Sequence, residues 1–578
     1  MNIFYEMANR LGFYKDVKNC LLKGFTPCAV TGVSNIHKAQ TAMALSRLSP
    51  CLVICDDEAS AIRMTGDINE MAGEQLACVF PAKDLNFAYM EGVSREYEHK
   101  RLEALSLITQ GKRKIIAASM EACLQGTIPQ DKLKEFSFEI KTGGELSLEE
   151  LTNKLLAGGY TRTDQVEGQA QFSVRGSIAD IFPVQESRPV RIELWGDEVD
   201  SISYFDPESQ RRTDPIDEIT VFPALEIIFP DTDDLVTKLE ALSKSVRGSR
   251  TDKIRTNISR DIETAQSGIT LTNLDKYYTV CYDKLTTVFD YFESGVCLVS
   301  EYTNCIEKGK AALAQLSEDM KLLYEDGILF RKLEGFYLDI PQAELKITQM
   351  KSVFLDSFMR SNNGVKFKKL INTDCRQTAA WGGNIINLEE ELKNLCSQGY
   401  CTVVLAGSEK TLPIINKDLN DAGISAEILT EDSEIIKGKV YLRTGCLSGG
   451  FDYPDIGCAA ITQMKAMSAK KRKSRHKAGE EIKSLSDIQT GDLVVHAMYG
   501  IGRFSGIKNI ETNGVTKDYI TIKYAGTDVL YVPVTQLDLV SRYIGPRDDG
   551  AVKLNKLNSM EWTKTRNKVK SAVKDMAE

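Results

Sequence analysis

Residues 32–39 read Gly32-Val33-Ser34-Asn35-Ile36-His37-Lys38-Ala39, after the apolar run Cys28-Ala29-Val30 and at the start of a helical stretch from Lys38 to Leu48. A phosphate-binding loop belongs at such a strand-to-helix turn. The motif GxxxxGK[ST] needs its second glycine for a tight backbone nest, its lysine for the β- and γ-phosphates and its hydroxyl for magnesium. Gly32 and Lys38 are in place, but His37 replaces the second glycine and Ala39 the hydroxyl residue. A degenerate, inactive phosphate loop is expected, and a plain strand-to-helix turn predicts the same lack of ATP turnover. Asp56-Asp57-Glu58 ends the apolar run Leu52 to Cys55 as a magnesium-holding acidic pair would. Without a phosphate cradle, it is expected to be a solvated strand end. No second GxxxxGK[ST] occurs in the chain.

Other chemistry is sparse. Gly500-Ile501-Gly502-Arg503-Phe504-Ser505-Gly506 has the spacing GxGxxxG and is followed by alternating strand pattern instead of a helix, so a dinucleotide site is not expected. Bends and bulges of a small barrel account for those glycines. The run 470–477 holds Lys or Arg at six of its eight positions. It reads as a solvated linker, with phosphate contact as the alternative. The four histidines (His37, His99, His476, His496) lack ligand spacing, and the 14 cysteines include no CxxC pair. No metal site is expected, and the thiols read as reduced and mostly buried. Carboxylates are abundant, but none is accompanied by a histidine or a nucleophile motif, so no catalytic residue is assigned.

The elements that would position these residues follow from patterning. With 578 residues, 42% apolar, 26% charged and a net charge of -9, the chain reads as an ordinary globular protein of about four domains. It is not a general polyanion binder. No apolar run is long enough to span a membrane, and the N-terminus has no signal-peptide core, so a cytoplasmic location is expected. Residues 1–127 alternate strands (Cys51 to Cys55, Leu76 to Phe80, Lys114 to Ala118) with helices (Lys38 to Leu48, Ser94 to Thr109), which predicts a parallel α/β sheet. Residues 128–225 turn to period-two alternation, as in Val190-Arg191-Ile192-Glu193-Leu194, and predict an antiparallel sheet. Residues 226–372 are helical and charged, with one expected strand pair, Tyr278 to Cys281 and Gly295 to Ser300. An α/β texture returns over 373–462, with a helix at Leu388 to Ser397 and strands at Cys401 to Ala406, Lys439 to Arg443 and Cys458 to Thr462. Residues 463–486 read as a basic linker. Residues 487–545 form an all-β unit with a hairpin, Tyr519 to Tyr524 and Val529 to Val532, turning at Ala525-Gly526-Thr527-Asp528. Met560 to Ala577 has helical spacing without a stop signal, so the chain is expected to continue past Glu578.

Gly159 to Val166 and Phe172 to Pro183 place Arg162, Arg175 and Phe182 on neighbouring strands. Ordinary sheet surface is the default for such residues, although an Arg/Phe combination is also the composition of a binding hot spot. The stretch continues through Pro189-Val190-Arg191-Ile192-Glu193-Leu194-Trp195-Gly196-Asp197-Glu198 to Phe205-Asp206-Pro207. It resembles the damage-recognition protein UvrB and, more closely, the bacterial transcription-repair coupling factors. Gly491-Asp492-Leu493-Val494-Val495-His496, Gly500-Ile501-Gly502-Arg503-Phe504 and Leu530-Tyr531-Val532-Pro533 resemble the RNA-polymerase-interacting module that this family shares with CarD-type regulators. Leu554-Asn555-Lys556-Leu557, Trp562 and Lys568-Val569-Lys570 resemble the linker helix leading to the family's motor.

The resemblance implies an α/β multidomain protein. It would contain degenerate RecA/UvrB-like α/β domains (1–127 and 226–372), an inserted antiparallel α+β domain (128–225) and a small α/β domain (373–462). A C-terminal SH3/Tudor-like β-barrel (487–545) and the start of a linker helix (546–578) would follow. UvrB itself keeps an intact phosphate loop and a DNA-clamping hairpin, neither of which is seen here. The resemblance further implies that UvrA docks on Arg162, Arg175 and Phe182, and the RNA polymerase β subunit on Ile510, Ile507 and Arg503. ATP, magnesium and duplex DNA would belong to motor domains beyond this chain, leaving it without a cofactor and a monomer. The alternatives are a self-contained ATP-dependent DNA-binding enzyme and a direct DNA-binding regulator acting through 470–477.

Overall fold

A computed structural model describes residues 2–463, apart from 86, 88–94, 208, 249, 269–270, 359–363, 379–380, 382–384 and 431–432. Beyond these it describes 480–481, 488, 490–496, 499–512, 515–526, 528–533, 539–543, 554–557 and 562. The basic run 470–477 and the helix expected at 560–578, except Trp562, lie outside the described residues.

Short, almost wholly apolar runs such as Cys51–Cys55, Ile115–Ser119 and Val296–Ser300 are buried along their entire length, which suits strands covered on both faces. They build a seven-stranded parallel sheet. Its order is Lys369–Asn372, Cys28–Thr31, Lys351–Asp356, Val296–Ser300, Cys51–Cys55, Ile115–Ser119, Ala77–Phe80. Three of these strands come from residues 296–372, so the segments 1–127 and 226–372 share one sheet and the antiparallel domain is inserted between them. The expected pairing of Tyr278 to Cys281 with Gly295 to Ser300 does not form. Tyr278–Cys281 is a helical turn, and Val296–Ser300 instead lies between Lys351–Asp356 and Cys51–Cys55. Tertiary contacts decide it: Tyr278 and Tyr282, four residues apart, meet edge to face at 5.3 Å. Their hydroxyls donate to the carbonyls of Thr127 (3.0 Å) and Glu226 (2.8 Å), a spacing a strand could not offer.

The inserted domain holds a two-stranded ladder, Phe138–Lys141 with Glu218–Val221, and a six-stranded sheet in the order Arg212–Ile216, Glu198–Phe205, Val190–Trp195, Ile178–Ile181, Gln171–Arg175, Thr161–Arg162. All pairs are antiparallel except the last. Inward residues such as Phe172, Ala179, Ile181, Ile192 and Leu194 are buried, and the alternation seen in sequence matches this face. The domain is tied to the parallel sheet by a buried ionic knot. Glu226 accepts from Arg101 Nε (2.9 Å) and Thr127 Oγ1, and pairs with Lys83 Nζ (2.7 Å), which also reaches Asp275 (2.9 Å). Arg101, fully buried over the Phe80 ring, gives its remaining donors to Gln125 and to the carbonyls of Pro81 and Gly126.

Residues 376–462 form a second six-stranded sheet, ordered Arg376–Thr378, Gly450–Tyr453, Cys458–Thr462, Cys401–Leu405, Val440–Arg443, Ala426–Ile428. The helices Ile385–Ser397 and Thr411–Asp421 cover one face, and the other packs against the first domain. The last sheet is antiparallel, in the order Glu480–Glu481, Val540–Arg542, Leu493–His496, Gly500–Thr512, Val515–Lys523, Val529–Pro533. The expected hairpin is present, with Gly526 in its turn at φ +83°. The expected closed barrel is not: no ladder among the described residues joins the first of these strands to the last.

The knot yields a test. Glu226→Ala would leave the Arg101 and Lys83 charges buried without their carboxylate, at a cost of about 3–5 kcal/mol. A urea titration followed by circular dichroism is expected to show the midpoint falling accordingly; an unchanged midpoint would mean that the knot carries no stability.

A closed phosphate cradle and two candidate docking surfaces

The strand Cys28–Thr31 enters the helix Asn35–Leu45 through Gly32, whose φ is +89° and whose missing Cβ would lie 2.2 Å from the Thr373 carbonyl oxygen. Only glycine fits there. In a working phosphate loop the amides and the lysine converge on the ligand. Here they are consumed within the chain. Gly32 and Val33 amides donate to the Asp356 carbonyl (3.1 and 3.4 Å), and the Ser34 amide donates to His37 Nδ1 (3.2 Å). Lys38 Nζ donates to Ser300 Oγ (3.2 Å) and Glu301 Oε1 (2.6 Å). That same carboxylate oxygen accepts from the amide (2.8 Å) and hydroxyl of Ser357. Burial pushes the Glu301 carboxyl up, but Lys38 and Ser357 outweigh it and hold the group below the usual carboxylate range. Glu301 is kept left-handed at φ 56°, ψ 63°, a conformation costing on the order of 1–3 kcal/mol in a non-glycine residue. Its carboxylate is therefore the anion that Lys38 meets.

The adjoining cavity of about 380 Å³ is lined by Asp56, Asp57, Asp67 and Glu301 against the single cation Arg63, a balance that repels phosphate. Asp57 has a local role as N-cap of the helix Glu58–Ala72, accepting from the Ser60 amide at 2.8 Å. Among the described residues no cluster could hold a metal ion.

His37 has a second role. It is fully buried, its ring 5.2 Å from Tyr453 and 6.1 Å from Phe451 of the 376–462 sheet. Beside it the Tyr453 hydroxyl donates to Gln40, whose Nε2 donates to the Phe4 carbonyl (2.8 Å). At the next helix Arg443 donates to the Glu70 carbonyl (2.6 Å) and the Ser448 amide to Asp67 (2.8 Å). Every residue from Ile36 to Leu45 is buried, the pattern of a helix covered on all sides. Burial lowers the His37 pKa to about 4, with the nearby Arg376 carbonyl opposing and Lys38 adding to the fall.

Among the residues expected to bind UvrA, the exposed Arg162 stands in register with buried Phe172, at the edge of the inserted sheet. Phe182, half-buried, exchanges backbone hydrogen bonds with Ala170 and Gln171 at 2.9 Å, so it flanks the same end of the strand Gln171–Arg175. Arg175 sits four residues along that strand, roughly 13 Å away at about 3.4 Å per residue. It is exposed, and its guanidinium donates to the Asp164 carbonyl. The strands gather all three at one edge of the domain, with Arg175 on the pleat opposite that of Phe172.

In the last sheet, Gly500–Thr512 pairs with Leu493–His496 only from Gly500 to Arg503, and with Val515–Lys523 from Arg503 to Thr512. Phe504 still bonds the backbone of Gly491 and Asp492, both at 2.8 Å, and the register shifts between Phe504 and Gly506. The glycine run thus ends in a bulge, as its sequence suggested. Beyond it, the outer edge of 507–512 has no strand partner among the described residues. Ile507, 43% exposed and opposite Ile520, and Ile510, opposite Lys517, both lie on this half. Arg503 does not: it faces Leu493 and donates to the Gly491 carbonyl at 2.9 Å.

Two kinds of residue escaped the sequence. Glu301, Asp356 and Ser357 are some 260 or more positions from the loop they close, and no local pattern points to them. Trp195 does carry a signal, since it falls on the outward phase of Val190-Arg191-Ile192-Glu193-Leu194-Trp195, but phase alone does not separate it from ordinary sheet surface.

Buried neutral His37 binds protons less readily than its unfolded form, so the unfolded state holds more protons between about pH 6.5 and pH 4. Stability therefore falls as pH drops through that window, approaching about 1.4 kcal/mol per unit from this residue. His37→Gln keeps an acceptor for the Ser34 amide and cannot titrate. Urea midpoints are expected to decline less steeply for this variant than for the wild type from pH 7 to 4; parallel declines would mean that His37 is not held neutral.

Two family models match this architecture: a UvrB interaction domain over residues 138–226, which is the inserted domain, and a CarD-like/TRCF RID domain over 488–544, which is the last sheet. The chain is 29% identical to the transcription-repair-coupling factor of Bacillus subtilis (strain 168), over 98% of this chain and 49% of that protein. Identity is 28% to the factor of Staphylococcus haemolyticus (strain JCSC1435), over 95% and 48%. It is 26% to that of Staphylococcus aureus (strain MRSA252), over 97% and 48%. The chain spans about half the length of these curated relatives. Among solved structures, an XPD helicase chain aligns over 76% of this chain and 81% of its own at TM-score 0.19 and 9% identity, too slight a likeness to argue from. The two matched domains and the similarity running through nearly all its residues make the chain similar to one half of a transcription-repair-coupling factor.

Proposed function

We propose that this chain is the adaptor part of a transcription-coupled DNA repair factor. In this reading the inserted domain recruits UvrA through the edge carrying Arg162, Arg175 and Phe182. The last sheet docks on the RNA polymerase β subunit by accepting a strand at the bare edge near Ile507 and Ile510. The observation that carries the reading is the presence of a UvrB interaction domain and a CarD-like/TRCF RID domain in one chain. The bare edge of 507–512 supports the mode of docking, because main-chain donors and acceptors there are free of a ladder partner among the described residues.

The closed cradle supports the absence of catalysis in this chain. A nucleotide would have to displace Glu301 from Lys38 and enter a cavity dominated by carboxylates. In the reading, ATP, magnesium and duplex DNA belong to motor domains of the whole factor, an ATP-dependent translocase that displaces stalled polymerase. The adaptor itself is a cytoplasmic monomer without a cofactor. Among the described residues no helix is long and apolar enough to cross a membrane. A self-contained ATPase finds no support in the loop geometry.

The test is a pull-down of UvrA and of the polymerase β subunit by wild type, Arg175→Ala and Ile510→Arg, beside a fluorescent-nucleotide titration. Each substitution is expected to abolish one partner and spare the other, with no saturable nucleotide binding. Wild-type protein that captures neither partner, or that binds nucleotide stoichiometrically, would refute the assignment.

A further inference from the structure

The inserted domain carries a tryptophan that the fold does not use. Trp195 is 83% exposed, the most exposed of the large apolar side chains on the described surface. It ends the strand Val190–Trp195, opposite Glu198, at a two-residue turn whose first residue, Gly196, takes the positive φ (+63°) such a turn needs. Along its strand Val190, Ile192 and Leu194 are buried, so Arg191, Glu193 and Trp195 share the outward pleat.

Register links that pleat to Arg175. Arg175 pairs with Ile178, and Ile178 with Glu193, which places these three in one outward row across adjacent strands. Trp195 lies two residues beyond Glu193. At about 4.8 Å per strand and 3.4 Å per residue, its Cα is roughly 12 Å from that of Arg175. Half-buried Ile178 lies between them, and Glu193 is neutralised by Arg212. The row thus presents an indole and an isoleucine beside the Arg175 guanidinium and the Arg212–Glu193 pair, with exposed Glu198 opposite the indole. That composition suits a partner with an apolar pocket rimmed by polar groups, and tryptophan and arginine are among the residues most enriched at binding hot spots.

We infer that Trp195 is an aromatic anchor of the surface that carries Arg175, inserting into the partner that Arg175 engages. The inference rests on the reading above, in which that partner is UvrA. Its ground is the extreme exposure of Trp195 and its continuity with Arg175 on one face of the domain matched as a UvrB interaction domain.

The test is isothermal titration of UvrA with wild type, Trp195→Ala, Trp195→Phe and Arg175→Ala. Circular dichroism of each variant should match the wild type, since an exposed side chain leaves the core intact. Trp195→Ala is expected to weaken binding roughly 30-fold or more, the scale of a hot-spot truncation, with Trp195→Phe between it and the wild type. The emission lost between wild type and Trp195→Phe isolates the Trp195 indole and should shift to the blue when UvrA is added. Unchanged affinity for Trp195→Ala alongside a loss for Arg175→Ala would overturn the inference and leave the proposed function standing. Wild type that does not bind UvrA would overturn both. Wild type that self-associates at micromolar concentration and is returned to monomer by Trp195→Ala would overturn it in favour of a second copy of the chain as occupant.

Discussion

The pairing of the Lys38 ammonium with the Glu301 carboxylate governs the architecture around it. A fully buried lysine must find an anion, and in a phosphate loop that anion is the ligand. Here the chain supplies its own, on a residue held left-handed at the same C-terminal end of the parallel strands, with Ser357 completing the carboxylate's hydrogen bonds. Once the cradle is satisfied from within, no open mouth is needed for exchange with solvent. The helix Asn35–Leu45 can then be buried on every side, and the face a nucleotide-binding domain would leave free becomes the seat of the 376–462 sheet. His37, the substitution that breaks the glycine nest, caps the helix through Ser34 and packs against Tyr453 and Phe451. The side chain that replaces the loop's second glycine thus also makes an interdomain contact.

The chain thereby presents two candidate surfaces of different kinds. The inserted domain is fastened to the parallel sheet by the Glu226 knot, in which a buried carboxylate is surrounded by Arg101, Lys83 and Thr127. Its outward face is a side-chain surface that displays arginines and aromatics, the groups to which the proposal assigns recognition. The last sheet offers a main-chain surface: beyond the bulge after Phe504, the strand continues with one edge unpaired among the described residues. Side-chain recognition is lost by truncating one residue. Main-chain recognition is lost by placing a charge where a strand must lie flat. The two surfaces can therefore be disabled separately.

Much of this was legible in the sequence, for physical reasons. Runs such as Cys51 to Cys55 and Cys458 to Thr462 are short, apolar and β-branched enough to be strands in any context. The alternation of 519–532 around Ala525-Gly526 fixes a hairpin locally. His37 and Ala39 depart visibly from the phosphate-loop pattern, and that expectation needed only the sequence. What could not be read depended on distant partners. Val296–Ser300 joins a sheet begun 240 or more residues earlier, and Tyr278–Cys281 is too short for its period to separate helix from strand. Glu301 acquires its role only when the sheet brings it to Lys38. The SH3/Tudor-like β-barrel was expected from the resemblance and from glycine placement, neither of which specifies whether the end strands meet. Trp195 differs, because its outward phase was visible; only its extreme exposure needed the structure.

The central claim is that both partners can be held at once. Mixing the chain with UvrA and the RNA polymerase β subunit and weighing the species by mass photometry tests it most directly. The account predicts a species containing all three at concentrations where each binary complex forms. If only the two binary complexes appear, with each partner displacing the other, the chain is not an adaptor and the account is contradicted.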